Sequence, residues 1–397
     1  MTSQQTAPKL DLTLIIILGA IAALTPLAID MHLPAMPSIA ADLGVTSNAV
    51  QITLTAYMAG FAIGQLLHGP LADSYGRKPV LLIGTLFFTI ASVVSATTTG
   101  IEALTWVRVA QGFAGAAAAV VIQAIVRDMF DREDFARTMS FITLVMTVAP
   151  LVAPMIGGHL TVWFGWRSIF WLLVVFSLLV MAAVMFKIPE TLAKEQRQPL
   201  RISSILRNYA HLCKTPSAMG LILTGAFSIS GMFAFITVGS FVYIDVFGVS
   251  LQNFGYLFGL NVVCMIVMTS FDGKVVKKMG SHWMIRFGLI IQVIAGICLV
   301  IAQMLDLGLW GTVIPVVFYV GTISIIGSNS MALLLSNYPQ MAGTASSLAG
   351  TLRFGMGSIV GGIAALLPVG SAWPMACTIA VCGILSILFY YLLARKV

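Results

Sequence analysis

The chain has 397 residues, of which 59% are hydrophobic and only 9% are charged. A soluble domain carries about 25% charged residues, so this composition excludes a soluble globular protein. The mean hydropathy of +1.00 predicts that lipid surrounds most of the surface.

Twelve apolar segments follow one another along the chain, at roughly residues 12–36, 48–68, 79–98, 104–126, 137–160, 168–187, 218–243, 253–272, 283–303, 310–334, 342–367 and 373–393. Each is close to the ~20 residues that a helix needs to cross ~30 Å of hydrocarbon. The runs are continuous rather than alternating, so the sequence predicts an all-α integral membrane protein with twelve transmembrane helices. The first segment resembles the start of a signal peptide but lacks a cleavage site before Asp30, and we interpret it as a retained span.

Lysine and arginine residues concentrate on one side of these segments. With the N-terminus in the cytoplasm, all but three of the 21 lie inside or at the inner interface. The exceptions are Arg167 on the outer side, and Arg108 and Arg353 within spans. The positive-inside rule therefore predicts a multi-pass protein of the bacterial inner (cytoplasmic) membrane with both termini cytoplasmic. This placement also explains the net charge of +7 without nucleic acid as a partner.

The longest polar stretch divides the chain in two. We predict an N-terminal six-helix half at 1–187, a cytoplasmic central linker at 188–217 and a C-terminal six-helix half at 218–397. The pair of glycines seven residues apart after span two, Gly69 and Gly76, recurs as Gly273 and Gly280 after span eight, which is a weak sign of internal repetition. Two pseudo-symmetric six-helix halves around a cavity are a transporter architecture.

The loop after span two reads Gly69-Pro70-Leu71-Ala72-Asp73-Ser74-Tyr75-Gly76-Arg77-Lys78. Its glycines permit a tight turn, and Asp73 could stabilise the N-terminus of a neighbouring helix such as span eleven. The loop resembles GxLaDxxGRK, the signature of the major facilitator superfamily. The resemblance implies a conformational latch between the halves that involves Gly69, Asp73, Gly76, Arg77 and Lys78. A plain positively charged turn is the alternative.

Three further motifs support the resemblance. They are Asp30-xxx-Pro34-xx-Pro37 in span one, Leu104-xxx-Arg108-xx-Gln111-Gly112-xx-Gly115 in span four, and Ala149-Pro150-xxx-Pro154-xx-Gly157-Gly158 in span five. They resemble the first-span motif of drug:proton antiporters, the fourth-span RxxQG motif and the antiporter motif of span five. Together these motifs are specific, and the resemblance covers the whole chain, which is similar to the Bcr/CflA drug-efflux subfamily.

Span five combines two prolines that bend a helix with glycines that allow close packing. For Pro150, Pro154, Gly157 and Gly158 the resemblance implies an antiporter hinge. Ordinary tight packing is the alternative.

Asp30 and Arg108 are charges at matching depths. Asp30 lies ~27 Å along span one, which is its outer third, and Arg108 lies ~6 Å into span four from the outer side. A charge at the centre of a membrane helix costs ~3 kcal/mol on insertion scales. Asp30 could cap the span in outer water, but the resemblance implies that Asp30 and Arg108 couple transport to protons. We expect no other carboxylate at depth.

Arg353 lies ~16 Å into span eleven. It either extends to the inner surface or joins the latch by pairing with Asp73.

Polar and aromatic residues within spans are a plausible cavity lining, although packing or bonding between helices is the commoner role of any one of them. They are Tyr57, Gln65, Gln111, Gln123, Phe233, Phe235, Asn261, Gln292, Tyr319 and Asn329. The five histidines lie near span ends, and we interpret them as interfacial.

Several chemistries have no motif here. The sequence contains no GxxxxGK[ST] phosphate loop, no HExxH, no GxSxG and no CxxC. We therefore expect no cofactor, no metal and no enzymatic activity. An integral membrane enzyme would need a cluster of acids or histidines at one depth.

The resemblance implies a monomeric antiporter in membrane lipid that exchanges protons for small amphipathic antimicrobials such as bicyclomycin-type drugs. A proton-linked exporter of a small metabolite, such as an amino acid or a derivative, is the alternative.

Overall fold

The computed structural model describes residues 12–130, 132–197, 202–368 and 370–395. Three cations that the sequence analysis places on the cytoplasmic side, Lys9, Arg201 and Lys396, lie outside these ranges. Within the ranges the chain is helical and contains no strand.

Fifteen α-helices occur in the described ranges: α1 Leu12–Asp30, α2 Met36–Leu43, α3 Ser47–Tyr75, α4 Arg77–Thr97, α5 Ile101–Met129, α6 Arg132–Phe164, α7 Arg167–Lys187, α8 Ile202–Cys213, α9 Pro216–Phe241, α10 Leu251–Met279, α11 Ser281–Met304, α12 Gly308–Gly321, α13 Ile323–Asn337, α14 Ala342–Leu366 and α15 Trp373–Phe389. Single π-helical turns at Val242–Val246 and Tyr390–Ala394 extend α9 and α15.

Twelve candidate membrane spans are found in the described residues, which confirms the predicted all-α class and number of transmembrane helices. The consecutive helices α12 and α13 together form the tenth span, at Gly308–Asn337. The short helices α2 and α8 are not spans. We refer to the side of α8 as the linker side and to the opposite side as the far side.

Two glycines mark corresponding turns in the two halves. Gly76 ends α3 with φ of +107°, and Gly280 ends α10 with φ of +81°. Side chains disfavour positive φ, so glycine is the residue that fits both turns. The matching conformations agree with the pseudo-symmetry that the repeated glycine spacing indicates.

The two halves meet along α3 and α14. On the far side, Asn48 Nδ2 donates a hydrogen bond of 2.5 Å to the carbonyl of Ala365. On the linker side, Ser347 Oγ donates one of 3.0 Å to the carbonyl of Gln65. These two helices therefore touch from one end to the other.

Arg167, the single cation predicted on the outer side, has a local partner there. Its Nη1 donates to Asp42 Oδ2 at 2.6 Å, and Trp166 Nε1 donates to the same oxygen at 3.0 Å. The hydrogen bond from Arg167 lowers the pKa of the Asp42 carboxyl. The pair fastens α2 to the start of α7, which accounts for this exception to the charge asymmetry.

Candidate functional site

Asp30 ends α1, and it is only 5% exposed. Residues 31–35, the turn that follows, are all buried. Asp30 forms no ion pair or hydrogen bond with the part of the chain that the structure describes. The carboxylate is therefore shielded from far-side water in this structure rather than capping the span in solvent.

Arg108 of α5 is fully buried beside the same helix. Its Nη2 donates to the carbonyl of Ala28 at 3.1 Å, and its Nη1 donates to Gln111 Oε1 at 2.6 Å. The guanidinium carbon also lies 4.4 Å from the centre of the Tyr57 ring, a cation–π distance. Arg108 thus reaches α1 two residues before Asp30, without forming an ion pair with it.

His32 and His68 are not interfacial, as the sequence analysis proposed, but buried. The Nε2 atom of His32 lies 3.2 Å from Thr53 Oγ1, and its ring lies edge-on to Phe170. The His68 ring is bound instead to a backbone carbonyl of its own helix, that of Gly64. Hydropathy placed both residues near span ends, but it cannot show that neighbouring helices cover them.

The two glycines of the fifth-span motif face different neighbours. A Cβ atom at Gly157 would overlap the carbonyl of Met31, the residue after Asp30. A Cβ atom at Gly158 would lie 2.7 Å from the carbonyl of Leu251 at the start of α10. The two glycines therefore lie where α6 packs closely against the turn after Asp30 on one side and against the start of α10, in the C-terminal half, on the other. We call this close contact the glycine seam.

The helix that carries this seam, α6, is continuous from Arg132 to Phe164 although Pro150 and Pro154 lie inside it.

The predicted latch residues form a charge cluster around Arg77. Its guanidinium pairs with Asp73 at 2.5 Å and with Asp128 at 3.3 Å. Its backbone N–H donates to Glu190 Oε1 at 2.9 Å. A Cβ atom at Gly76 would collide with the other oxygen of Glu190, so the absence of a side chain there admits the carboxylate.

The remaining latch residues make local contacts. Lys78 Nζ donates to the carbonyl of Met185 at 2.8 Å, and Gly69 has only an ordinary contact with Val120. All these partners precede α8 in the chain. In this structure the cluster ties α3, α4 and α5 to residues 188–197, and the described residues show no ion pair between Asp73 and α14.

Arg353 lies apart from the latch. Its Nη2 donates to the carbonyl of Gly327 in α13 at 3.0 Å, and it forms no ion pair with a described residue. The side chain also lies beside Gly225 of α9. The expected pairing with Asp73 is therefore absent, because the guanidinium points between α9 and α13 instead.

Three of the predicted cavity amides hold helices together. Gln292 donates to Ser228 Oγ at 2.9 Å and to the carbonyl of Tyr319 at 3.2 Å. Gln111 donates to Ser92 Oγ at 2.8 Å, in addition to accepting from Arg108. Asn329 and Asn261 are likewise buried and bonded, the latter to a carbonyl one turn away.

Aromatic rings form a line from the first half to the second. Ring centres lie 6.4 Å apart for Tyr57 and Phe61, 4.4 Å for Phe61 and Phe354, and 5.3 Å for Phe354 and Phe233. The line passes from α3 through α14 to α9. Phe235 packs elsewhere in the core, and the sequence analysis missed Phe61 and Phe354 because hydropathy does not distinguish lining from packing.

Three predicted cavity residues retain unused polar atoms or open surface. The buried Oε1 of Gln65 and the hydroxyl of Tyr319 lack hydrogen-bond partners in the described residues. Gln123 is exposed on the linker-side part of α5. In this structure Gly350 and Gly231 cover the unpartnered atoms of Gln65 and Tyr319.

Asp272 is a further acid in α10, at the last residue of the predicted eighth segment and seven residues before the linker-side end of the helix. Its Oδ1 accepts from Asn329 Nδ2 at 2.8 Å, and its Oδ2 accepts from Ser328 Oγ at 3.2 Å. The predicted span ended at residue 272, whereas α10 continues to Met279. Asp272 is half-buried there and joins α10 to α13, and the expectation that Asp30 is the sole carboxylate at depth stays a prediction.

Comparison with known proteins gives the family. The model of the Major Facilitator Superfamily matches residues 18–362. A bicyclomycin resistance protein homolog of Haemophilus influenzae is 42% identical over 96% of both chains. A chloramphenicol resistance protein of Pseudomonas aeruginosa is 30% identical over a region that spans 91% of this chain and 86% of the relative. The chain belongs to the Major Facilitator Superfamily, whose members transport small molecules across membranes.

Solved structures agree with this assignment at the level of the fold. The D-xylose-proton symporter has a TM-score of 0.75 at 16% identity, with 95% of this chain and 97% of that chain covered. The nucleoside transporter NupG has a TM-score of 0.76 at 14% identity, with 95% and 99% covered. The fold is shared with these proteins, and the family match together with the 42% identical relative identifies a transporter rather than an enzyme.

Proposed function

We propose that this protein is a drug:proton antiporter that exports small amphipathic antimicrobials, such as bicyclomycin-type drugs, across the bacterial inner membrane. Relatives named as bicyclomycin, chloramphenicol and multidrug resistance proteins support a drug as the cargo. The observation that carries the proton coupling is Asp30, a buried carboxyl group in a span with no cation paired to it.

The coupling follows from the cost of burying charge. A carboxylate without a partner is expensive in a membrane span, and binding a proton removes that charge. When the far side opens, water reaches the turn at residues 31–35 and can solvate the ionised form. Proton binding at Asp30 is thereby linked to closure of the far side, while Arg108 supplies a nearby positive charge for the ionised state.

The glycine seam and the Arg77 cluster are the proposed moving parts. Gly157 and Gly158 allow α6 to pack against both the Asp30 turn and α10, which suits a hinge that seals the far side. The cluster of Arg77 with Asp73 and Asp128 suits a latch that changes partners when the linker side closes.

The placement of lysine and arginine supports cytoplasmic termini and a cytoplasmic linker at 188–217 between the halves at 1–187 and 218–397. We propose that the antiporter works as a monomer in membrane lipid.

The test of coupling is transport in liposomes with an imposed pH gradient. Wild-type protein should accumulate bicyclomycin or chloramphenicol in response to the gradient. In Asp30→Asn, which cannot ionise, the gradient-driven rate should fall at least tenfold. Asp30→Glu should keep part of that rate. Asp306→Asn is the matched control, because Asp306 lies in an exposed turn at φ of +49°, a conformation that asparagine tolerates.

Full gradient coupling in Asp30→Asn would contradict the proton site. The same assay with an amino acid or a derivative tests the alternative cargo class. Transport of that compound without transport of either drug would support metabolite export in place of drug export.

A further inference from the structure

Arg353 carries a positive charge to the middle of the membrane region. Its guanidinium meets α9 at Gly225 and α13 at Gly327. Gly225 is nine residues from the linker-side end of α9 at Pro216, and Gly327 is ten from that of α13 at Asn337. At 1.5 Å per residue both lie about 14–15 Å from the linker side, which is half of a ~30 Å bilayer core.

The hydrogen-bonding capacity of this guanidinium is almost unused. It offers five N–H donors, and one of them reaches the carbonyl of Gly327. No described carboxylate pairs with it. Asp272 approaches the same stretch of α13, but Ser328 and Asn329 already bond its two oxygens.

Glycines face the guanidinium at van der Waals contact distance on two sides. Cβ atoms built at Gly225 and Gly327 would lie 3.4 Å and 3.7 Å from its nitrogen atoms, so backbone rather than side chains faces it on both sides. Arg353 itself is partly exposed. A costly charge at mid-membrane, partly exposed and with free donors, is typical of a binding residue rather than a structural one.

We propose that Arg353 is a substrate-recognition residue that donates hydrogen bonds to an oxygen acceptor of the substrate, a carboxylate or an amide carbonyl. This inference rests on the proposed export function and narrows its cargo. Substrates are neutral or anionic amphiphiles that carry such an oxygen. Lipophilic cations are poor substrates, because the unpaired charge of Arg353 repels them.

The first experiment measures occupancy at Arg353 directly. Protein in nanodiscs is treated with phenylglyoxal, which modifies accessible guanidinium groups, and the adduct at Arg353 is quantified by peptide mass spectrometry. Chloramphenicol, bicyclomycin and benzoate should each slow modification at least threefold, whereas benzylammonium should not. Arg286 of α11, which bonds the Tyr390 hydroxyl, is the internal control and should be unaffected by every compound.

The second experiment separates recognition from structure. Lysine can still donate one hydrogen bond to the carbonyl of Gly327 but lacks the planar fork. A structural role therefore survives Arg353→Lys, whereas recognition does not. We expect Arg353→Lys to raise KM about tenfold with little change in maximal rate, and Arg286→Lys to leave both unchanged.

The outcomes distinguish the two proposals. Wild-type KM in Arg353→Lys, or protection of Arg353 by benzylammonium equal to that by benzoate, overturns the recognition role. If wild-type protein transports neither drug but benzoate still protects Arg353, the export proposal fails and the oxygen-acceptor site stands. If no compound protects Arg353 although drugs are transported, the site fails and export stands.

Discussion

At the scale of single residues, the charges inside the bundle fall into distinct environments. Asp272 has both oxygens bonded, and Arg108 is shared among a carbonyl, an amide and an aromatic ring. Asp30 and Arg353, in contrast, have no ionic partner among the described residues. Bonded charges stabilise the helices that they join, whereas unpaired ones are available to a proton or a substrate.

A double-mutant cycle should detect the coupling between Asp30 and Arg108. Arg108→Gln removes the nearest cation on α5 and leaves the Asp30 carboxylate without that compensation. In that variant Asp30 must bind a proton at neutral pH to remain buried, a cost that Asp30→Asn removes, so the double variant should be more thermally stable than Arg108→Gln alone. We expect an interaction free energy of about 1 kcal/mol, within the range for neighbouring sites.

The measurement is the melting temperature of each variant in detergent at neutral pH. Asp306→Asn in place of Asp30→Asn gives the control cycle, which should be additive. Strict additivity in the Asp30 cycle as well would show that the two charges do not interact.

At the scale of elements, α6 connects the proposed proton site to the opposite half. Gly157 contacts the turn after Asp30, and Gly158 contacts the first residue of α10. Successive helix positions point about 100° apart, so one glycine pair can serve two neighbours. A shift of α6 against α10 therefore changes the packing over Asp30 as well.

Gly158→Ala should weaken closure of the far side. Its methyl group would lie 2.7 Å from the carbonyl of Leu251, so the two helices must separate. Gly362→Ala is the matched control, since a Cβ atom there meets nothing within 4 Å. Alanine is otherwise preferred to glycine in a helix by up to about 1 kcal/mol, which makes a loss at Gly158 attributable to the contact.

After the five native cysteines are replaced, spin labels are attached at Thr99→Cys and Leu305→Cys. The distance between the two labels reports closure of the far side. Both positions are exposed in far-side loops, one in each half. Gly158→Ala should shift the distribution to longer distances and lower the transport rate severalfold. An unchanged distribution would mean that α6 and α10 do not control the far side.

At the scale of the whole molecule, the sequence predicted what depends on length and spacing. A fixed rise per residue placed Asp30 and Arg108 at one depth, and the structure brings them to adjacent helices. Rotation of side chains about the helix axes depends on packing between distant segments, which no local pattern encodes. This is why the orientation of Arg353 and the burial of His32 were not predicted.

The segment after α7 shows how the latch reaches beyond its own motif. Glu190 accepts from the backbone of Arg77 at 2.9 Å and lies 3.8 Å from the guanidinium of Arg197. Hydrogen bonds to charged groups contribute about 1.5–3 kcal/mol, which is enough to hold an exposed segment against the bundle. These contacts fix Glu190 and Arg197 to the Arg77 cluster, so a change in the proposed latch is expected to alter the tether between the halves.

Glu190→Ala should release this segment. Trypsin cleavage after Arg197 should become about tenfold faster, because proteolysis follows the population of the open form and a loss of ~1.4 kcal/mol raises that population tenfold. Glu195→Ala is the control, since Glu195 is exposed on the same segment and forms no hydrogen bond or ion pair with the described residues. Equal cleavage rates in both variants would show that Glu190 does not tether the linker, and transport by Glu190→Ala would then match the wild type. If the tether is real, the faster cleavage is accompanied by a lower transport rate, because the two halves lose the connection through which the Arg77 cluster acts.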